Sequence, residues 1–177
     1  MIKIKFVCLI LVLAVCIQAC DDNQKAKNYN NRTLVDDQGL DFIKSGHEAG
    51  LTEMKAASLA QATSKNSQVL GFAKMMMTDH AELGAELSKL AKNRMVDLNS
   101  TLDEKHQKAL DSLSKLEGPA FDVAYMNMMV KGHTAVETLF EANTTNKTGY
   151  VQEFAKKYLP TIKHHLESAK EIQAGLK

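Results

Sequence analysis

The stretch Val69 to Leu90 reads VLGFAKMMMTDHAELGAELSKL, and its apolar positions Val69, Ala73, Met76, Leu83, Leu87 and Leu90 recur in steps that follow a helical face. Steps of three and four belong to one side of an α-helix; a half-buried strand would alternate every second residue. His80 falls in step with this series, so an imidazole stands on the face that should be buried. Asp79 lies about a third of a turn round, at the edge of that face, where it would reach a histidine on an adjacent helix.

Three other long segments repeat the pattern. From about Asp37 to Ala62, Leu40, Ile43, His47, Gly50, Met54 and Ala57 form one line, and beside it runs a seam of small residues, Gly46, Ala49, Ala56 and Ala60, that includes Glu53. The polar TSKNS, Thr63 to Ser67, makes a tight connection to the second helix. Pro119 suits the first turn of a helix carrying Asp122, Met126, Met129, His133, Val136 and Phe140 on one face, and TTNKTG, Thr144 to Gly149, ends it. The last segment, from about Tyr150 to Gly175, aligns Phe154, Tyr158, Ile162, His165, Ala169 and Ile172, and Pro160 inside it should bend the helix. A shorter segment starts after Ser100 and Thr101, with Thr101 and Glu104 at capping-box spacing, and runs to near Gly118.

No strand-like alternation competes with these lines. The absence of tryptophan, the few aromatics and the abundance of Ala, Leu, Lys, Glu and Met also favour helix. The expected fold is all-α, an antiparallel four-helix bundle with an extra short helix between the second and third long helices.

The start of the chain has a different character. MIKIKFVCLILVLAVCIQAC carries Lys3 and Lys5, then an apolar run from Phe6 to Ile17 that is short for a membrane span, then Ala19-Cys20. The ending IQAC resembles the lipobox of bacterial lipoproteins. Residues 1–19 are therefore read as a lipoprotein signal, Cys20 as the lipid attachment site, 20–35 as a flexible polar tether and 36–177 as the bundle. This places the domain in the bacterial cell envelope, anchored to a membrane through its lipid and facing the periplasm or the cell surface. Cys8 and Cys16 would leave with the signal, so neither a disulfide nor a thiolate metal site is open to the domain. With 22 basic against 21 acidic residues there is no electrostatic case for nucleic acid.

The polar residues on inward faces are the candidates for function. Counting places His80, His133 and His165 on three helices facing one core, with Glu53 and Asp79 as carboxylate partners; His47 faces inward from the first helix, and His106 and His164 lie off the seams. Two readings are open. In one, each imidazole is a structural group satisfied by a nearby carbonyl, hydroxyl or carboxylate. In the other, the three imidazoles converge with Glu53 or Asp79 on a divalent metal or copper. Met75, Met76, Met77, Met126, Met128 and Met129 offer thioethers suited to copper(I), but methionine is also an ordinary core filler. There is no GxSxG elbow and no phosphate-cradling glycine loop, so no catalytic residue is assigned. Acid–base chemistry around Tyr125 and the histidines is a third reading.

GLTEM at Gly50 to Met54, FAKMMMTDH at Phe72 to His80, FDVAYMNMMVKGH at Phe121 to His133 and FAKKYLPTIKHHL at Phe154 to Leu166 together resemble the domain-of-unknown-function family 4142. The resemblance implies a ferritin-like helical bundle in exported bacterial proteins, often lipoproteins. It carries the family's polar signature onto Glu53, Asp79, His80, Asp122, Tyr125, His133 and His165. Ferritin-type di-iron centres need Glu-x-x-His pairs, and three residues after Glu53, Glu82 and Glu137 stand Ala56, Ala85 and Phe140, so no such centre is expected. The expectation for function is a non-enzymatic binding or stress-related module of the envelope with a protein partner; the alternative is a metal-binding or redox bundle.

Overall fold

A computed structural model describes residues 33–176, among which there are helices and no strand. The elements are α1 (Asp37–Thr63), α2 (Ser67–Asn93), α3 (Glu104–Leu113), α4 (Gly118–Asn143) and α5 (Gly149–Gly175). The signal, Cys20 and most of the tether lie outside the described residues. At the tether's end the expectation shifts by a residue or two: Val35 is buried in the core, and Leu34 N–H donates to the Arg94 carbonyl.

Local chemistry sets the helix starts. The Asp36 carboxylate accepts from Gly39 N–H at 2.7 Å, and the Asn66 side chain accepts from Gln68 and Val69 N–H groups. α3 is capped by Asp103, which accepts from His106 N–H at 2.7 Å, and not by Thr101. A carboxylate bonds the free N–H and also meets the positive end of the helix dipole, which a hydroxyl cannot do. α3 ends at Leu113, and α4 begins at Gly118, whose φ of 55° is the left-handed turn that glycine adopts without cost, followed by Pro119 in the first turn. Pro160 does not interrupt α5, which is continuous from Gly149 to Gly175.

α1 and α2 form one hairpin, α4 and α5 a second, and the chain crosses between them through α3. Around the bundle the order is α1, α2, α5, α4. Phe42 near the start of α1 meets Phe140 near the end of α4, while Ser64 just after α1 meets Asp122 at the start of α4, so these neighbours run antiparallel. Two hairpins joined by one long crossover is the connectivity of ferritin-like bundles.

On α1 the buried line differs from the expected one. Phe42, Ile43, Gly46, Glu53, Ala56, Ala57 and Ala60 are buried, while Leu40, His47, Gly50 and Met54 are half-buried. The small-residue seam faces the bundle axis because small side chains let α1 approach its neighbours. The other flank is covered by the α2–α3 connection, where His47 Nε2 lies 2.8 Å from the Asn99 carbonyl and Glu48 accepts from Asp103 N–H. His47 therefore turns away from the other histidines.

The core has two apolar layers. The lower holds Phe42, Ile43, Leu83, Val136, Phe140, Phe154 and Ile162; the upper holds Ala56, Met76, Phe121, Tyr125, Met126, Met129 and Ala169. On α2 the border falls between Met76 and Leu83, on α4 between Met129 and Val136, and on α5 between Ile162 and Ala169. His80, His133 and His165 occupy those borders, and Glu53 occupies the border on α1 between Ile43 and Ala56. The polar residues thus form one belt across the bundle. Met76, Met126 and Met129 are fully buried fillers of the upper layer.

Above that layer, the Ser64 hydroxyl donates to Asp122 Oδ1 at 2.5 Å in a buried contact that ties the end of α1 to α4. Ser64→Ala leaves a buried carboxylate without this donor and is expected to cost about 1–3 kcal/mol, read as a lower urea midpoint at unchanged m-value. A change below about 0.5 kcal/mol would show that Asp122 finds another donor.

Candidate functional site

Each of the four long helices contributes one residue to the belt. His133 Nδ1 lies 3.0 Å from the carbonyl of Met129, one turn back on α4. A carbonyl only accepts, so Nδ1 holds the proton and Nε2 keeps its lone pair. His165 Nε2 lies 2.9 Å from Asp79 Oδ2, so Nε2 donates and the lone pair falls on Nδ1. His133 Nε2 and His165 Nδ1 are both buried without a hydrogen-bond partner, as are both nitrogens of His80. The rings lie 5.4 to 5.8 Å apart between centroids, and one nitrogen from each comes within 4.8 Å of the others.

Glu53 stands beside this trio. Its Oε1 is 3.2 Å from His133 Nδ1 and its Oε2 is 3.4 Å from His80 Nε2, yet neither oxygen has a hydrogen-bond partner. Two glycines make room in the belt, Gly132 on α4 for Glu53 and Gly50 on α1 for His80. A methyl group on Gly132 would come within 2.9 Å of Glu53 Oε1, and one on Gly50 within 3.5 Å of His80 Nδ1.

Burial sets the charge of the belt. It pushes the Glu53 carboxyl up to about 8 and His80 down to about 3, the latter with help from the neighbouring His133 and His165. His133 is lowered to about 4 by burial and by His165, against the raising effect of its bond to Met129. His165 is lowered by burial, with Asp79 opposing. At neutral pH the belt is a protonated carboxyl among neutral imidazoles, so the contacts to Glu53 are not ion pairs.

The structure brings Glu53, Asp79, His80, His133 and His165 together. Tyr125 belongs to the upper layer, stacked on Phe121 at 6.1 Å; its hydroxyl is buried and unpartnered, and it is held protonated by burial and by Glu53. Asp122 is not part of the belt, being engaged with Ser64 at the end of the bundle. Sequence counting missed Gly132 and the Met129 carbonyl. The glycine directly before His133 in VKGH is the one signal that pointed there. Glu48, Asp103 and His106 form a second, more exposed group, which caps α3 and fastens it to α1.

Buried nitrogens left without partners cost about 1–3 kcal/mol each, so a cluster of three such imidazoles is costly unless a further group satisfies it. Neutral imidazole nitrogens suit zinc, copper, iron or nickel. The supports behind two of them, a carboxylate on His165 and a backbone carbonyl on His133, are those that fix the tautomer of metal-binding histidines. The belt contains a single glutamate, so its donors do not make a ferritin-type di-iron set.

A family model described as "Domain of unknown function (DUF4142)" matches residues 24–172. No curated protein matches the chain. Among solved structures, "Crystal structure of DUF305 fragment from Deinococcus radiodurans" is similar with a TM-score of 0.71 at 11% identity, covering 80% of this chain and 98% of that one. At that identity the likeness is one of fold alone.

Proposed function

The chain belongs to the DUF4142 family, and from that membership and its belt of histidines we propose that it is a metal-binding helical bundle held at the bacterial cell envelope by a lipid on Cys20. The metal reading is carried by one observation: three buried imidazoles from three helices bring a nitrogen each within 4.8 Å of the others, and every one of these rings has a nitrogen without a hydrogen-bond partner. His80, His133 and His165 are the ligands. Asp79 orients His165, and Glu53 stands ready as an additional oxygen donor or as acceptor for a metal-bound water. Three protein nitrogens leave a coordination position for water or a small ligand. Convergent imidazoles favour this reading over a bundle whose polar residues serve packing alone.

The anchoring part is supported by the signal-like residues 1–19 and IQAC before the folded domain. No helix among the described residues is long and apolar enough to cross a membrane. Mass spectrometry of the mature N-terminus is expected to find acyl chains on Cys20, and Cys20→Ser is expected to release the protein from the membrane fraction. A wild-type chain with a free cysteine, or cleaved elsewhere, would reject the anchor.

For the metal, untagged protein purified without chelator is expected to carry a first-row transition ion by elemental analysis. Stripped protein titrated with zinc(II) should bind one equivalent and, at a free concentration about 100 times Kd, gain about 2.7 kcal/mol of stability. The triple variant His80→Ala/His133→Ala/His165→Ala should gain nothing. An equal gain in both would reject the site.

A further inference from the structure

The trio is closed to solvent: His133 and His165 are 0% exposed and His80 3%. An ion can reach them only if a side chain moves. Asp79 is placed to govern that movement, because its side chain is 37% exposed while its Oδ2 lies 2.9 Å from buried His165 Nε2. It touches both bulk water and a ligand imidazole. It projects from α2 toward α5, and α2 and α5 pack least closely of the neighbouring helices around the bundle. Along the same seam, Met75, four residues before Asp79, and Ser168, three after His165, line a surface depression of about 330 Å³ with Phe72, Glu171 and Ile172.

We propose that the α2–α5 seam is the loading route for the metal ion and that Asp79 is its gate. The exposed carboxylate captures the hydrated cation at the mouth of the seam. Taking the cation, Asp79 releases the N–H of His165, the one hydrogen bond that holds this ring in place. The freed ring turns, the ion passes to the three nitrogens, and the Asp79–His165 bond closes behind it. Asp79 is thus a positioning residue that sets the rate of loading as well as the orientation of a ligand. The inference rests on the metal-binding reading.

Loading of the full chain, solubilised in detergent and stripped of metal, is followed by stopped flow through the visible absorption of cobalt(II). Asp79→Asn keeps the shape of the side chain and an oxygen acceptor for His165 but removes the charge. Its association rate is expected to fall about tenfold or more and to lose the ionic-strength dependence of wild type. Dissociation should slow with it, because a gate serves both directions. Ser168→Trp, which fills the depression, should slow association as well, with the Asp79–His165 pair checked by the pH titration of the His165 ring in both proteins. If Asp79 only orients His165, Asp79→Asn instead weakens affinity by about 10- to 100-fold through faster dissociation at unchanged association, which overturns the gate. An unchanged rate in Ser168→Trp overturns the seam as the route. Wild-type protein that binds no cobalt(II) at all overturns the metal reading itself and the gate with it.

Discussion

In the presence of chelator, the protein is expected to be most stable near pH 6.5 and to lose stability on both sides. Unfolded histidines take up protons as pH falls through about 6.5, whereas His80 and His133 in the fold resist to about 3 and about 4, and His165 is lowered in the same direction. A base with a depressed folded value stabilises the fold above its unfolded value, and that contribution is lost as pH falls. Glu53 acts in the opposite sense. Its folded value is raised from 4.5 to about 8, so the fold keeps a proton that the unfolded chain releases, and stability is lost as pH rises between those limits.

Between pH 4.5 and 6.5 two or three imidazoles oppose one carboxyl, and stability should fall with acid by about 1–3 kcal/mol per pH unit. From 6.5 to 8 the carboxyl acts alone, at about 1.4 kcal/mol per unit, or about 2 kcal/mol in all. These counts belong to the cluster as a whole, so a proton shared between Glu53 and His80 does not alter them. Urea midpoints across pH in chelator measure the profile, and Glu53→Gln isolates its alkaline limb. The variant should show a steeper acid limb, because the opposing carboxyl is gone, and hold level from 6.5 to 8; surface groups cancel in the comparison. A wild type that is itself level over that range would mean that the folded domain ionises Glu53 as readily as the unfolded chain.

This belt shows what a sequence can reveal and where it stops. Helical period placed His80, His133 and His165 inward because each keeps step with apolar neighbours, and the structure has them buried at the border of two layers. The same counting centres α1 on a line one seam away from the axis. Of its line Leu40, Ile43, His47, Gly50, Met54 and Ala57, only Ile43 and Ala57 are buried, and most of the residues that join them at the axis come from the neighbouring seam of small residues, which is set by how closely helices pack. That is a property of two surfaces, and one helix read by itself does not contain it. Counting also reached Glu53 and Asp79, and it set Asp122 on the same inward face as His133; the family resemblance joined all three in one signature. Only the three-dimensional arrangement separates Asp122, which bonds Ser64 at the bundle end, from Glu53 in the belt and Asp79 at its edge. Tautomers were also illegible, since they depend on the Met129 carbonyl and on Asp79 across a helix seam.

Phe42→Ala is expected to cost the fold about 3–5 kcal/mol, a large part of the 5–15 kcal/mol that usually separates folded from unfolded domains. Phe42 is fully buried and lies where α1, α4 and α5 meet, its ring 5.0 Å from Phe140 and 6.0 Å from Phe154, both edge-on. Edge-to-face rings add to the burial energy, so truncation removes transfer free energy, two aromatic contacts and the filling of the space at once. Collapse into that space is restricted. Val151 stands within 3.2 Å of a methyl placed on Gly39, and the Thr148 hydroxyl donates to Asp36 at 2.9 Å, so the start of α1 is already tied to the start of α5. Glu53 sits about three turns along α1 from Phe42, across the layer border, so the variant should lose stability without losing the imidazole cluster. Metal stoichiometry should stay at that of wild type, and saturating zinc(II) should restore part of the lost midpoint by mass action. A cost below about 1.5 kcal/mol would mean that the lower layer repacks around the missing ring. Loss of metal binding at an intact fold would mean that the two layers are coupled, and that the aromatic cluster holds the belt in place.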